Sequence, residues 1–361
     1  MHVKRMTPKQ RMVNLIRGDE VDQLPFVSYV GMSPGEETRR LFGDDSLGML
    51  SWCPAHRIES PNCSTRSESF TADDGYEGVM DILDTPAGSL VQKRLIVPAW
   101  GGPWGFLEHF VKTSADLEVL LAYFQDRQVV PTSEGVNALN AELGEHGIAH
   151  VSLPRTPYQQ LWIEWSLIED VAYLMADAAD LVDRVMTAMG EEFLQAAQAT
   201  AQAAKDCEFY HTTIGDNVTA PMIGADLFEK WCLPYYNQAV DILADADIRF
   251  MVHMDGDLKS LWPSLDRCNI GGFDSLSPPP DNDTPVGVAL QRWPEMMVWA
   301  NFPSSVHLRE PAEIRRVAEE LLEEGGHTRR FWIQISEDMP PEAWRKSFPE
   351  IIGAVRDFGK P

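Results

Sequence analysis

The sequence predicts an α/β chain built as a closed (β/α)8 TIM barrel with an antiparallel β-hairpin insertion after the first strand, and three observations predict it. From residue 114 onward, short apolar runs alternate with helix-length amphipathic segments, the pattern of βα units around a parallel sheet. Seven candidate strands appear, at 24–30, 148–153, 208–214, 248–253, 271–276, 296–300 and 331–335, with 95–100 as the candidate eighth. None of them reads as an edge strand and no dinucleotide fingerprint is present, which favours a closed barrel over an open sheet.

The elements follow in order. Thr7 can cap a first helix, Pro8 suits its first turn and Gln10 sits at the capping-box position, while Met12, Leu15 and Ile16 give it an apolar face. The turn from Asp22 to Pro25 leads into the first strand, which ends at Gly31. Runs at 65–70, 79–83 and 89–97, the last two around Thr85-Pro86-Ala87-Gly88, read as hairpins. Residues 45–110 are thus an insertion and aromatic loop region within a single domain spanning 1–361. Trp100-Gly101-Gly102-Pro103-Trp104-Gly105 reads as a glycine-rich loop carrying two indoles, without phosphate-binding spacing. Helices are expected at 114–125 and 132–145, then over a long stretch at 158–204 broken near 177–180. Further helices are expected at 225–244, 257–266, 284–292, 310–325 and 341–357.

Composition bounds the function. Hydrophobic residues make up 44% and charged residues 24% of 361, an ordinary globular balance. No apolar run approaches the roughly 18 residues of a membrane span, and the N-terminal segment lacks a signal-peptide core, so no membrane association and a cytoplasmic location are expected. Thirty basic against 55 acidic residues give a net charge of −25, which argues against a nucleic-acid partner. Cys53, Cys63, Cys207, Cys232 and Cys268 are widely spaced and form no Cys-x-x-Cys pair, so reduced thiols are expected.

Chemistry concentrates at the strand ends, which form the ligand-facing rim of such barrels. The apolar run 248–252 ends in His253, Asp255 and Gly256; strand 208–214 leads into Asp216 and Asn217, and strand 331–335 into Ser336, Glu337 and Asp338. An imidazole and several carboxylates meeting at one mouth suit a divalent ion or acid and base work. Each residue also has a structural alternative. Asp255 before a helix can be its cap, Asp216 a turn residue, and Glu337 a helix-start acid. His253 can be a satisfied core residue, and His211 can face the barrel interior or the helices. Trp100 and Trp104 can wall a pocket or cover an apolar edge, and Trp162 and Trp165 can touch substrate or pack a core. Arg155, directly after Pro154, can hold an anion or form a structural ion pair.

The stretches Gly215-Asp216-Asn217, Leu233-Pro234-Tyr235-Tyr236 and Val252-His253-Met254-Asp255-Gly256-Asp257-Leu258 resemble the uroporphyrinogen decarboxylase superfamily. Thr7-Pro8-Lys9-Gln10-Arg11, Gly272-Phe273-Asp274-Ser275-Leu276 and Glu337-Asp338-Met339-Pro340 extend the resemblance over most of the chain. It implies a (β/α)8 barrel and either tetrapyrrole decarboxylation or methyl transfer with corrinoid proteins. The decarboxylases carry an Arg-Gln-Ala-Gly-Arg-Tyr motif after the first strand; here that region runs from Met32 to Arg40 without it. The methyltransferase branch is nearer, but its zinc-binding His-x-Cys and distal Cys are here His253-Met254-Asp255, with no cysteine beyond Cys268. Glu337 stands by position where the distal Cys would be, and oxygen for sulfur hardens the site.

Residues and resemblance together lead to a methyltransferase-like enzyme moving a methyl group from a small, aromatic or methoxylated, substrate to a separate corrinoid protein. His253, Asp255 and Glu337 are its expected ligands for a divalent metal, zinc first, and His253, Asp255 and Asp216 its catalytic groups. Trp100, Trp104, Arg155, Trp162, Trp165, Asn217 and His211 are the expected substrate contacts. A homodimer follows by analogy. The alternatives are a metal-free decarboxylase or lyase using the same acid and base groups, and a non-catalytic binding protein on this fold.

Overall fold

The computed structural model describes residues 5–73, 75–97 and 102–359. Eight parallel strands close a barrel: β1 (Phe26–Tyr29), β2 (Gly48–Pro54), β3 (Gly147–Ser152), β4 (His211–Ile214), β5 (Arg249–His253), β6 (Gly272–Leu276), β7 (Met297–Asn301) and β8 (Phe331–Ile335). Closure comes from β1, which pairs with β8 through Phe26 and Ile333 on one side and with β2 through Val27 and Gly48 on the other. Strands β4 to β8 are buried along nearly their whole length, the composition a parallel sheet covered on both faces requires.

One strand differs from the sequence expectation. The remaining barrel strand is Gly48–Pro54, inside the stretch assigned to the insertion, and not 95–100. Its first three residues are buried but the last four alternate between half-exposed and exposed positions and end in proline, so it lacks the continuous apolar run of its neighbours. Glycine permits its pairing with β3, since a Cβ on Gly147 would lie 2.3 Å from the Met49 carbonyl oxygen. Residues 88–97 instead belong to an antiparallel sheet of Ser64–Thr71, Glu77–Thr85, Gly88–Val97 and Gly102–Glu108, in that order. The hairpins thus follow the second barrel strand. Gly102 to Gly105, read as loop, lie in the last of these strands, while Trp100 falls outside the described residues.

The chain forms two compact units, Met1–His56 with Pro131–Leu153 and Ala197–Pro361, and Arg57–Val130 with Pro154–Ala196. The first holds the barrel. Its opening helix Pro8–Arg17 carries the expected capping box of Thr7 and Gln10, and the buried Arg11 guanidinium is held by Asp22 at 2.7 Å and Asp45 at 3.1 Å. In the barrel interior Trp299 and Trp332 stack with ring centroids 4.1 Å apart.

The second unit holds the antiparallel sheet and helix Ser114–Asp126, whose Leu117, Leu120, Leu121 and Phe124 are buried. The break expected near 177–180 falls at Ala178, between helices Ile168–Asp177 and Ala179–Ala203. Before them a π-helical turn, Leu161–Trp165, carries both tryptophans of that stretch. Among the described residues no helix is long and apolar enough to cross a membrane.

Candidate metal centre

Residues at the C-terminal ends of β5 and β8 meet at the barrel mouth. His253 is the last residue of β5, Asp255 follows two residues on, and Glu337 lies two residues beyond β8. One nitrogen of His253 and one oxygen each of Asp255 and Glu337 lie within 4.8 Å of one another. His253 Nε2 is 3.0 Å from Glu337 Oε1 and 3.8 Å from Asp255 Oδ2. Burial opposes a charged imidazole, but the hydrogen bonds to Asp255 and Glu337 push its pKa up to about 10. Burial likewise raises Asp255, yet His253 and the Asn217 amide, 3.1 Å away, hold it below the usual carboxylate range. The donor set of one imidazole nitrogen and two carboxylates fits a divalent ion of borderline to hard character and leaves coordination positions for substrate.

The capping alternative for Asp255 meets a competitor. The amides of Leu258 and Lys259, which open the following short helix, donate to Asp283 Oδ1 at 2.8 and 3.1 Å, so Asp283 is their cap. The loop between His253 and that helix is pinned at Gly256, whose amide donates to the Val218 carbonyl at 3.2 Å and whose missing Cβ would sit 2.2 Å from Thr219 Cβ. Glu337 is held from below: Ser275 Oγ lies 2.9 Å from its Oε1 and 2.6 Å from Ser336 Oγ, and Ser336 N–H donates to Asn301 at 3.1 Å. Ser275 adopts a left-handed φ of 65°, unfavourable for a serine, where the pairing of β6 with β7 is irregular.

Beneath the mouth runs a polar network that the sequence reading does not contain. Asp274 on β6 is fully buried and accepts from Tyr29 Oη at 2.8 Å, Gln334 Nε2 at 3.0 Å, His150 Nε2 at 2.9 Å and Thr213 Oγ1 at 2.8 Å. Burial pushes its pKa up, but His150 first and then His253 and Gln334 outweigh it and hold the carboxyl ionised. Tyr29 Oη also lies 3.3 Å from His253 Nδ1, and burial together with Asp274 drives the phenol pKa well up. His150 Nδ1 and His211 Nε2 share one proton at 2.7 Å, so His211 faces the barrel interior, edge-on to Trp299. Burial, and then His150, lower the His211 pKa well below normal. Trp52, 40% exposed near the end of β2, sets its ring against Tyr29 and His150 at 5.5 and 4.4 Å.

The other expected residues are placed as follows. Asp216 is buried, and its Oδ2 accepts from Tyr236 at 2.6 Å. Trp104, Arg155, Trp162 and Trp165 belong to the second unit. There Trp104 is 61% exposed, and Trp165 packs against Phe110, Tyr123 and Phe124. Trp162 donates to Gln159, and Arg155 pairs with Glu164 at 3.1 Å.

In a (β/α)8 barrel the strand ends that carry the histidine and the two carboxylates form the rim where such folds take up small molecules. The family follows from sequence. The model of the family described as "Uroporphyrinogen decarboxylase (URO-D)" matches residues 166–358, more than half the chain, and the chain belongs to that family. Its relatives include the methylcobamide:CoM methyltransferases MtbA of Methanosarcina acetivorans and Methanosarcina mazei. Each is 20% identical over 285 residues, covering 74% of this chain and 75% of the relative. A solved methyltransferase from Methanosarcina mazei shares the fold, with a TM-score of 0.56 at 12% identity over 98% of this chain and 99% of that one.

Proposed function

We propose that this chain is a methyltransferase that moves a methyl group from a small, methoxylated aromatic substrate to the corrinoid of a separate protein, with a divalent ion held by His253, Asp255 and Glu337. The observation that carries the reading is the approach of those three side chains within 4.8 Å at the barrel mouth of a family member. The relatives named methylcobamide:CoM methyltransferases support a corrinoid as one of the two methyl carriers.

Methyl transfer leaves negative charge on the heteroatom that loses the group, and an alkoxide or phenoxide leaves slowly unless that charge is taken up. A divalent ion bound here supplies Lewis acidity to that atom. The chain's own groups do the rest. Asn217 and Ser275 fix the two carboxylates, and Trp52 offers an exposed indole face beside Tyr29 on which an aromatic ring can lie. Carboxylates in place of thiolates would leave more Lewis acidity on a bound ion, since oxygen gives it less charge than sulfur does, which suits activation of an oxygen-bound methyl group.

Metal content of the purified protein and of His253→Ala tests the ligand set. About one ion per chain in the wild type and near none in the variant is expected; equal stoichiometry sinks it. Incubation with reduced corrinoid protein and methoxyaromatics then tests the reaction, read as the absorption of methyl-cobalt, and no signal with any donor counts against methyl transfer.

A further inference from the structure

Asp274 is a carboxylate enclosed in the barrel, and such a group persists only when its lone pairs are all used. Donors from four other strands use them: Tyr29 from β1, His150 from β3, Thr213 from β4 and Gln334 from β8. An ionised carboxylate only accepts. The single phenolic proton of Tyr29 is therefore committed to Asp274 across 2.8 Å, and the Tyr29 oxygen has only lone pairs left to offer.

The nearest nitrogen to those lone pairs is His253 Nδ1, at 3.3 Å. Two acceptors facing each other would repel, so this contact holds only when Nδ1 carries a proton. His253 Nε2 is then the nitrogen left to face Glu337 at 3.0 Å and Asp255 at 3.8 Å. The direction of the whole chain is thus set at Asp274, two side chains away from the mouth. Tyr29 itself has little freedom, with Trp52 against one side of its ring and His150 against another at centroid distances of 5.5 and 5.1 Å.

We infer that Tyr29 is a positioning residue, oriented by Asp274, that keeps the Nδ1 proton on His253 and so presents Nε2 to the cation shared with Asp255 and Glu337. The inference rests on the metal reading given above. Histidines that bind metals commonly donate their second N–H to a carboxylate or carbonyl, and loss of that partner weakens binding. Here the acceptor is a phenol standing between the imidazole and the carboxylate. The interposed hydroxyl stands between Asp274 and His253 while passing on the orienting effect of the carboxylate.

The test is zinc titration of the wild type, Tyr29→Phe and Thr213→Val, alongside 15N-histidine NMR of the wild type, Tyr29→Phe and His253→Ala, the last to assign the resonances. Tyr29→Phe keeps the ring packing and is expected to weaken zinc binding by about 10- to 100-fold, with Nε2 bound to zinc and Nδ1 protonated in the wild type. Thr213→Val removes a donor to the other oxygen of Asp274 and leaves the Tyr29 bond in place, and is expected to bind zinc within about twofold of the wild type. Zinc bound through Nδ1, unchanged affinity in Tyr29→Phe, or an equal loss in Thr213→Val would overturn the inference. If the wild type takes up no zinc, the metal reading fails by itself and the metal-free protein still decides this one. An Nδ1 proton protected from solvent exchange in the wild type and exposed in Tyr29→Phe supports it, and equal exchange in both overturns it.

Discussion

Replacing Glu192 by glutamine should change how stability depends on pH. Glu192 is 3% exposed, and Arg127 Nε lies 2.7 Å from its Oε2. Burial outweighs that ion pair, and the neighbouring Glu164 adds repulsion, so the carboxyl rises from the ordinary 4.5 to about 7. The folded state then holds a proton that the unfolded chain has released, between pH 4.5 and about 7. Its stabilising effect is complete below pH 4.5 and is lost as pH rises through about 7. Each pKa unit is worth about 1.4 kcal/mol, so the loss amounts to about 3 kcal/mol above pH 7. Glutamine resembles the protonated acid and does not titrate. Urea unfolding at pH 4 and pH 8.5 should give equal stability for wild type and Glu192→Gln at the lower pH, with the variant ahead by about 3 kcal/mol at the higher. Parallel stability curves, offset by the same amount at both pH values, would refute the argument. The Arg127 pair is already counted, because the value of about 7 is what remains after that pair has opposed burial.

Two further outcomes are expected. Asp283→Ala should lower stability by about 0.5–2 kcal/mol through loss of the Leu258 and Lys259 amide partner while leaving zinc stoichiometry intact, whereas Asp255→Ala should lower zinc binding without a capping loss; urea melts and metal analysis separate the two. Trp52→Ala should raise the KM for an aromatic methyl donor by about 2- to 10-fold with kcat little changed, and an unchanged KM would remove Trp52 from the substrate surface.

The barrel was legible where strands are buried on both faces. β4 to β8 each form short, nearly continuous buried runs, while β2 is buried only over its first three residues and gives no such signal. The residues of the candidate centre were legible because polar groups ending apolar strands stand out against their neighbours, as His253, Asp255 and Glu337 do. The network below them was not. Tyr29, His150 and Asp274 are 121 or more residues apart along the chain, and their bonds exist only once β1, β3 and β6 are brought around one axis. Asp274 did leave a local trace, as the one acid inside a five-residue strand buried throughout. The second unit shows the opposite case: Trp162 and Trp165 were drawn from sequence spacing, yet a π-helical turn, and not regular helix, carries them.

The carboxylate of Asp274 also bears on how this barrel can change over generations. Five of the eight strands meet at one side chain, so replacing it strands four donors at once, and replacing any one donor leaves a charged group short of a partner. Converting this interior to an apolar one therefore takes several coordinated substitutions.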